Sequence, residues 1–359
     1  MVKGTVLIAL AIVVGLMTIA PVSLFEGANA SSSSAALPES HMIASVPWHQ
    51  QINGLSCGAA SLEIVYDYWG PDIDQKQVMN VARTSSSGTW TYDIVSAGQF
   101  SYMSDAQGDF FPSVGPDGGY SERPLGYAAF SHTSTEFWLE DLKVLIANDI
   151  PVIVLMNYYP DGGGGHYRVV IGYDDASQLV YFSDPWGRDL NHLTDWTGVI
   201  NWTYSDFQMG WNYCEYGADN PYFGAVLIPW TVDVSVKGKT TSGSAFLVTA
   251  TIQYPCPAPF DRSQFRASDA LAQISLPVGA TLAGGSASVQ LGPLSAGGTA
   301  VVSWTVLANG NLKGDAVSVT ASGLISGSVP EAYWAGGVVY YPAYSYQDAI
   351  GGIGTLVLG

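Results

Sequence analysis

One cysteine of this chain lies in a setting that favours a reactive thiol. Cys57 stands within the run QINGLSCGAAS, residues 51–61, at the predicted first turn of a helix. The free N–H groups and the dipole of such a turn favour thiolate over thiol, and the small residues that follow leave room for a substrate backbone. Six residues upstream, Gln51 offers an amide donor that could form an oxyanion hole with the Cys57 N–H. Gln50 is the adjacent alternative for that role.

A thiolate that attacks an amide also needs a base that can later protonate the leaving amine. The chain has five histidines, and His166 is the one placed for this work, because it follows a glycine loop at residues 163–165 and precedes a strand-like run at 167–173. We interpret the other four as ordinary surface or structural histidines: His41, His49, His132 and His192. With no Cys-x-x-Cys or His-x-x-x-His pair, we expect neither a metal ion nor a cofactor.

An imidazole base is usually oriented by a third group. Asp184 follows the strand-like run 179–182 and comes one predicted hairpin after His166, so we expect its carboxylate at the end of a strand beside the imidazole. Asp174 and Asp175 are the alternatives, although an Asp-Asp pair between two strands is typical of a turn.

The elements that must position these groups indicate an α+β fold for the first part of the chain. A helix is predicted over 57–69, ending before a Gly-Pro pair, and a second over 134–148, capped by Ser134 or Thr135. A buried strand is predicted over 151–156, so a helix precedes a mainly antiparallel sheet. The aromatic segment 83–130 reads as an insertion, which either shapes a cleft or lid or is a structural excursion on the surface.

The last third of the chain has a different pattern. From residue 231 onward, apolar residues alternate with polar ones in short runs separated by turns rich in glycine and proline. This period-two pattern predicts an all-β, Ig-like sandwich over 231–359. No catalytic constellation is found there, and we expect a spacer or adhesion module.

Composition and the N-terminus limit the class of protein. The 359 residues carry a formal charge of −18 and only 12% charged residues, which argues against nucleic-acid binding and against attraction to an anionic membrane surface. Lys3, an apolar run over 5–22 and Ala28-Asn29-Ala30 predict a signal peptide or an uncleaved signal anchor over 1–30. A linker is expected over 31–44. A disulfide between Cys214 and Cys256 would leave Cys57 free, and this pairing stays open.

Four short motifs, in this order, carry a resemblance to a known family. They are Val46-Pro47-Trp48-His49-Gln50-Gln51, Cys57-Gly58-Ala59-Ala60-Ser61-Leu62, Gly165-His166-Tyr167 with Gly172-Tyr173-Asp174, and Ser183-Asp184-Pro185-Trp186. Together they resemble the C39-like peptidases, a branch of the papain-like cysteine proteases, over roughly residues 45–230. The resemblance implies a papain-like domain in which Cys57 is the nucleophile and His166 the general base and acid. Asp184 would be the orienting carboxylate and Gln51 the oxyanion-hole donor.

The resemblance and the N-terminus together predict a secreted or cell-surface cysteine peptidase. Its substrates would be extracellular proteins or peptides, and the membrane would matter only through an uncleaved anchor. The chain lacks the membrane bundle and the phosphate-binding loop that follow the namesake peptidases, so leader processing is not implied. Two alternatives stay open. One is a non-catalytic binding protein with a degenerate cleft, and the other is a transglutaminase-like acyltransferase.

Overall fold

The fold is described from a computed structural model, which covers residues 23–25, 36–70, 72–106, 108, 123–189, 192–196, 198–333 and 339–359. Of the predicted signal segment, only Ser23–Phe25 lies among the described residues. A mixed helix and sheet architecture extends to Ile228, and every regular element from Thr231 onward is a strand. Among the described residues, no helix is both long enough and apolar enough to cross a bilayer.

Five helices are described, all in the first part of the chain. They are α1 (Cys57–Trp69), α2 (Gln75–Val81), α3 (Thr91–Gln99), α4 (Leu139–Ala147) and α5 (Tyr204–Trp211). Helix α1 has the predicted bounds and ends where Gly70 adopts a φ of 72° and donates its N–H to the Tyr66 carbonyl. Helix α4 begins five residues later than predicted. Ser134 Oγ accepts the N–H of Glu136, a local turn that competes with helix formation there.

The first part of the chain is built on one antiparallel sheet. Its strands are β2 (Ser40–Met42), β3 (Ala128–His132), β4 (Val152–Tyr159), β5 (Gly162–Asp174), β6 (Leu179–Ser183), β9 (Val199–Thr203) and β10 (Gly224–Ile228). The spatial order is β3-β10-β4-β5-β6-β9, with β2 paired to β5. Strand β1 (Ser23–Phe25) pairs elsewhere, and β7 (Arg188–Asp189) with β8 (His192–Trp196) forms a separate short ribbon.

Two strand predictions need correction. Strand β5 begins at Gly162, so that His166 lies inside the strand, opposite Met156 of β4, rather than after a free glycine loop. Strand β2 falls in the segment predicted as a linker, because Ser40–Met42 pairs with the end of β5 and Ile43 is buried. The sheet therefore begins before the first motif of the site.

Helix α1 packs against one face of this sheet. Its Leu62, Ile64 and Val65 share a buried cluster with Val169 and other apolar residues of β4 and β5. Burial of such a stripe, rather than helix propensity, provides most of the stability of a helix of this length. The packing fixes the N-terminal end of α1 at the edge of β5.

The segment 83–130 is part of the core in its described portion, not a surface excursion. Ile94 and Phe100 are fully buried on and after α3, and Phe130 is fully buried on β3. The Phe100 ring packs on Tyr66 of α1 with ring centroids 5.7 Å apart. Among the described aromatic residues that suggested an insertion, Phe100 fills the core, whereas Tyr102 is exposed. Residues 107 and 109–122 lie outside the described part of the chain.

The all-β region confirms the alternation seen in the sequence. Its strands are β11 (Thr231–Gly238), β12 (Ala245–Gln253), β13 (Ala267–Ser275), β14 (Ala280–Leu282), β15 (Ser288–Leu294), β16 (Thr299–Ala308), β17 (Ala316–Val329), β18 (Ala332–Tyr333), β19 (Val339–Tyr341) and β20 (Tyr344–Val357). One antiparallel sheet has the order β1-β16-β12-β11, with β14 on β16, and another has the order β15-β13-β17-β20. Buried residues of both, such as Val248 and Val319, belong to one cluster.

The all-β region is joined to the first part of the chain by backbone and side-chain hydrogen bonds. The N–H of Gly126 donates to the Ala349 carbonyl over 2.7 Å, and the N–H of Gly351 donates to the Gly126 carbonyl over 3.1 Å. Tyr346 Oη donates to Gln99 Oε1 at the end of α3 over 2.7 Å. Strand β20 thus lies directly against the loop that leads into β3.

Candidate active site

The thiol of Cys57 is held at the first residue of α1. An Asn53-Gly54 turn precedes it, in which Asn53 Oδ1 accepts the N–H of Leu55, and the chain then enters the helix. Cys57 is buried, which by itself would raise the pKa of its thiol. A hydrogen bond and the charge of His166, together with the N–H groups of Tyr167 and Gly58, outweigh burial and lower that pKa. These contacts therefore favour the thiolate form of Cys57.

The imidazole of His166 is held between the thiol and a carboxylate. Its Nε2 lies 2.8 Å from Asp184 Oδ1, which leaves Nδ1 for Cys57. Burial alone would lower the pKa of His166, but the negative charge of Asp184 prevails and raises it. A lowered pKa of the cysteine beside a raised pKa of the histidine favours a thiolate–imidazolium pair.

Asp184 is placed by the loop that follows β6. Its N–H donates to the Gly198 carbonyl over 2.7 Å, and its own carbonyl accepts from Trp48 Nε1 over 2.7 Å. The Oδ1 that faces His166 also accepts the N–H of Trp186 over 2.8 Å. These contacts leave the carboxylate little freedom to turn.

A residue that the sequence analysis did not select completes this arrangement. Arg168 Nε donates to Asp184 Oδ2 over 2.7 Å, and both side chains are fully buried. Burial would raise the pKa of Asp184, but Arg168 first and His166 second hold it well below its usual range. The available signal was a charged residue in the apolar strand β5, two residues after His166 and hence on the same face of the strand.

Gln51 is close to the site in the chain but is bound to a backbone carbonyl. Its Nε2 donates to the Asn53 carbonyl over 2.7 Å, and its N–H donates to the Pro185 carbonyl over 2.9 Å. The side chain is buried, and its Oε1 has no hydrogen-bond partner in the described part of the chain. Gln50 is exposed, so Gln51 is the buried member of the pair.

A narrow cavity of about 60 Å³ opens beside Cys57. Its walls come from the loop before α1, from the Ser87–Thr89 turn and from the start of β5, where Gly165 faces Tyr216. A Cβ on Gly165 would lie 2.8 Å from the Tyr216 ring, so a side chain at position 165 would force that ring to move. The hydroxyl of Tyr167 donates to the Thr89 carbonyl over 3.0 Å and holds the turn in place.

Comparison with known proteins identifies the family of the segment that contains these residues. Residues 43–218 match the model of the Peptidase_C39 like family. This segment belongs to the Peptidase_C39 like family. Its antiparallel sheet and few helices are the papain-like C39 fold. No curated protein sequence matches the chain.

Several solved structures are similar in part. Xylellain, a cysteine protease from Xylella fastidiosa, is 16% identical, covers 54% of this chain and 87% of its own, and has a TM-score of 0.38. The peptidase domain of Streptococcus ComA is 16% identical, covers 51% of this chain and 98% of its own, and has a TM-score of 0.32. A double glycine motif protease from an AMS/PCAT transporter is 17% identical, covers 52% and 93%, and has a TM-score of 0.31. Likenesses at these scores establish neither activity nor substrate.

The alternative acids of the C39-like segment occupy structural positions. Asp174 Oδ1 accepts the N–H of Ser177 in the turn between β5 and β6. Asp175 accepts from Tyr204 Oη and pairs with Lys143 Nζ at 2.9 Å. Asp174 therefore stabilises the turn, as the sequence indicated for an Asp-Asp pair, and Asp175 ties the turn to α4 and α5.

His41 and His132 have partners away from the site. His41 Nε2 lies 2.8 Å from Asp149 Oδ1, and the His132 ring packs on Trp138. The side chain of His192 lies outside the described part of the chain. None of these contacts reaches Cys57.

One group of side chains has the donor set of a metal site. Ligand atoms of His49, Glu63 and Asp72 lie within 4.8 Å of one another. His49 Nε2 already lies 2.9 Å from Asp67 Oδ2, and Glu63 Oε2 accepts from Gln75 Nε2 over 2.6 Å. Each of these two side chains thus has a protein partner. The expectation of no metal stays a prediction.

Cys214 and Cys256 are not joined. Cys214 is exposed, and its thiol donates to the Ala218 carbonyl over 3.2 Å. Cys256 is buried, and its thiol donates to the Phe260 carbonyl over 3.8 Å. Burial raises the pKa of Cys256 to about 11, so this thiol is inert where that of Cys57 is activated.

Proposed function

We propose that this chain is a cysteine peptidase that hydrolyses peptide bonds through Cys57, His166 and Asp184. The observation that carries the proposal is the joint arrangement of the three side chains, in which the pKa of the thiol is lowered and that of the imidazole is raised. A structural cysteine in an apolar core has a raised pKa instead, as Cys256 does. Membership of the Peptidase_C39 like family supports the same activity.

The first half of the reaction forms a thioester. The Cys57 thiolate attacks the amide carbonyl, and the negative charge that develops on the carbonyl oxygen is stabilised by N–H donors at the start of α1. His166, as imidazolium, protonates the leaving amine, and the thioester remains on Cys57. Asp184 keeps the imidazole oriented and stabilises its positive charge throughout.

The second half of the reaction is hydrolysis. Neutral His166 takes a proton from water, the resulting hydroxide attacks the thioester, and the carboxylic acid product leaves as Cys57 becomes thiolate again. We assign Gln51 as the side-chain donor to the oxyanion. Its Nε2 carries one hydrogen that is bound to the Asn53 carbonyl and a second hydrogen for a substrate oxygen.

The setting of the activity is part of the proposal. The predicted signal segment supports export, either as a secreted protein or as one held at the cell surface. The all-β region supports an Ig-like sandwich that acts as a spacer or an adhesion module beside the peptidase. Extracellular proteins or peptides are then the substrates.

The test measures the rate of Cys57 alkylation by iodoacetamide against pH, with mass spectrometry to assign each thiol. Exposed Cys214 is the internal reference in the same molecule. We expect Cys57 to label well below the ~8.5 pKa of a free thiol, and His166→Ala to abolish this advantage. If Cys57 labels only as an ordinary thiol, the degenerate binding protein is favoured and the peptidase is not.

A second measurement separates hydrolysis from acyl transfer. The wild type and Cys57→Ala are incubated with a mixture of proteins, and the masses of the products are measured by mass spectrometry. Hydrolysis adds one water to each cleaved bond, whereas crosslinking joins two chains and releases ammonia. Cleavage that Cys57→Ala lacks supports the proposal, and crosslinked products alone would replace it with the transglutaminase-like reaction.

A further inference from the structure

We propose that Arg168 is a positioning residue of the site, which fixes the carboxylate of Asp184 so that Oδ1 faces His166. The inference rests on the proposed peptidase function, since it concerns the same three side chains. Arg168 touches neither Cys57 nor the narrow cavity beside it in the described contacts, and it acts through Asp184.

The guanidinium of Arg168 is bound on all of its polar sides. Nε donates to Asp184 Oδ2 over 2.7 Å, Nη1 to the Asn157 carbonyl over 3.1 Å, and Nη2 to the Tyr158 carbonyl over 2.9 Å. Its Cζ lies 4.7 Å from the centre of the Trp202 ring, which covers the planar group. Arg168 is fully buried, so that these contacts are not exchanged for water.

This arrangement divides the two oxygens of Asp184 between two cationic partners. Arg168 occupies Oδ2, and Oδ1 is left for His166 Nε2 and the N–H of Trp186. Rotation of the carboxylate would break the contacts at both oxygens together. A charge-assisted bond to a locked guanidinium therefore selects one orientation of the acid.

The same cation has a second effect, on the charge of the imidazole. The groups that face His166 are the carboxylate of Asp184, the thiol of Cys57, the ring of Tyr158 at 5.3 Å between centroids, and Arg168. Asp184 raises the pKa of His166, while Arg168 lowers it. Arg168 thus keeps Asp184 ionised and limits how strongly that carboxylate holds the imidazolium proton.

Arg123 offers a matched control, because it is a second buried arginine with similar bonding. It donates to the carbonyls of Phe100 and Gly98 and lies over the rings of Tyr66, Phe100 and Tyr127. Its side chain is 1% exposed, and none of these contacts belongs to the site. Loss of Arg123 removes a buried arginine without disturbing Asp184.

The experiment compares the pH profile of Cys57 alkylation in the wild type, Arg168→Gln, Arg168→Lys and Arg123→Met. In Arg168→Gln we expect Asp184 to take up a proton at a higher pH, because burial then acts without its largest opposing charge. Below that pH, His166 loses its partner. On the acid side of the profile, the pH at which labelling falls to half its maximum (the acid limb) should rise by about one pH unit or more. The labelling rate at pH 5 should then be about tenfold lower than in the wild type.

Each outcome has one meaning. Arg168→Lys keeps the charge and should move the limb less than Arg168→Gln, and Arg123→Met should lower the thermal midpoint without moving the limb. An Arg168→Gln profile that superimposes on an activated wild-type profile would overturn the inference and leave the peptidase standing. A wild type without an activated thiol would overturn the proposed function itself.

A measurement on the unaltered protein covers the case in which Arg168→Gln does not fold. The proton between His166 Nε2 and Asp184 Oδ1 should give a far-downfield NMR resonance. Because Arg168 holds the carboxylate ionised, we expect this resonance to persist below the ~3.9 pKa of an ordinary aspartate. Its loss in step with ordinary carboxylate titration would contradict the positioning role.

Discussion

The candidate site and the junction with the all-β region each bury an aspartate, and the two acids behave in opposite ways. Asp184 at the site is 0% exposed, and Asp348 of β20 at the junction is 1% exposed. The pKa of Asp184 lies well below the usual range, whereas the pKa of Asp348 is raised to about 7. Similar burial thus leaves Asp184 ionised and Asp348 partly protonated near neutral pH.

The partners of each carboxylate account for the difference. Asp184 lies between Arg168 and His166, whose positive charges exceed the cost of its desolvation. Asp348 Oδ1 accepts the N–H and the Oγ–H of Ser101, both over 2.8 Å, and the charge of Arg123 lowers its pKa less than these bonds do. Burial raises the pKa of either acid, and only a directly bound cation lowers it enough to keep the carboxylate ionised.

The largest expected effect is that of Asp184→Asn on catalysis. We expect kcat/KM for peptide hydrolysis to fall by about 10³–10⁴-fold, since an amide cannot hold the imidazolium of His166. The half-buried turn acid Asp174 supplies the control, and Asp174→Asn should stay within twofold of the wild type. A folded Asp184→Asn protein that keeps a tenth of the activity would contradict the claim that Asp184, unlike Asp348, is needed as an anion.

The next effect is on stability and depends on pH. The folded-state pKa of Asp348, about 7, exceeds that of the unfolded chain, so the folded state binds the extra proton. The stability that this gives is complete below the unfolded pKa and is lost as pH rises through about 7. We therefore expect Asp348→Asn to be more stable than the wild type by about 2–4 kcal/mol at pH 8 and equally stable at pH 4.

Urea unfolding at both pH values measures this difference. Peptide hydrolysis by Asp348→Asn should match that of the wild type, because Asp348 lies outside the site. Equal stabilities of the two proteins at pH 8 would mean that Asp348 is ionised as readily as a surface acid.

The smallest expected effect is on stability and concerns Glu63, a third buried acid. Burial raises the pKa of Glu63 to about 7 despite its bond to Gln75 and the nearby His49, and Asp72 and Asp74 add repulsion. Glu63→Gln should stabilise the protein at pH 8 by about 1 kcal/mol, less than Asp348→Asn, because solvent screens the repulsion from the exposed acids Asp72 and Asp74. Glu140→Gln, on an exposed acid of α4, should change stability by less than half of that.

The residues of the site were predictable from the sequence because each lies in a short local pattern. Cys57 precedes a run of small residues, His166 follows a run of glycines, and Asp184 is followed directly by proline. A helix start and two ends of one hairpin can be read from such signals without knowledge of the fold. The α+β order and the alternating last third were predictable for the same reason.

What the sequence did not reveal depends on contacts between distant parts of the chain. Ser101 and Asp348 are 247 positions apart, and no local pattern pairs them. Strand β2 is too short to show a period, and it is a strand only because β5 offers it an edge. Arg168 had a local signal, but its role requires Asp184 on the neighbouring loop to be in place.

The position of β10 also constrains when the sheet can be completed during synthesis. Among the described strands, β3 ends the sheet and pairs only with β10, so that Ala128 meets Ile228, 100 residues later in the chain. As the polypeptide leaves the ribosome, β4, β5 and β6 can form their hairpins before β10, the partner of β3, has been synthesised. Closure of this non-local pairing is entropically costly and slow, so we expect the sheet to be completed only after β10 has emerged.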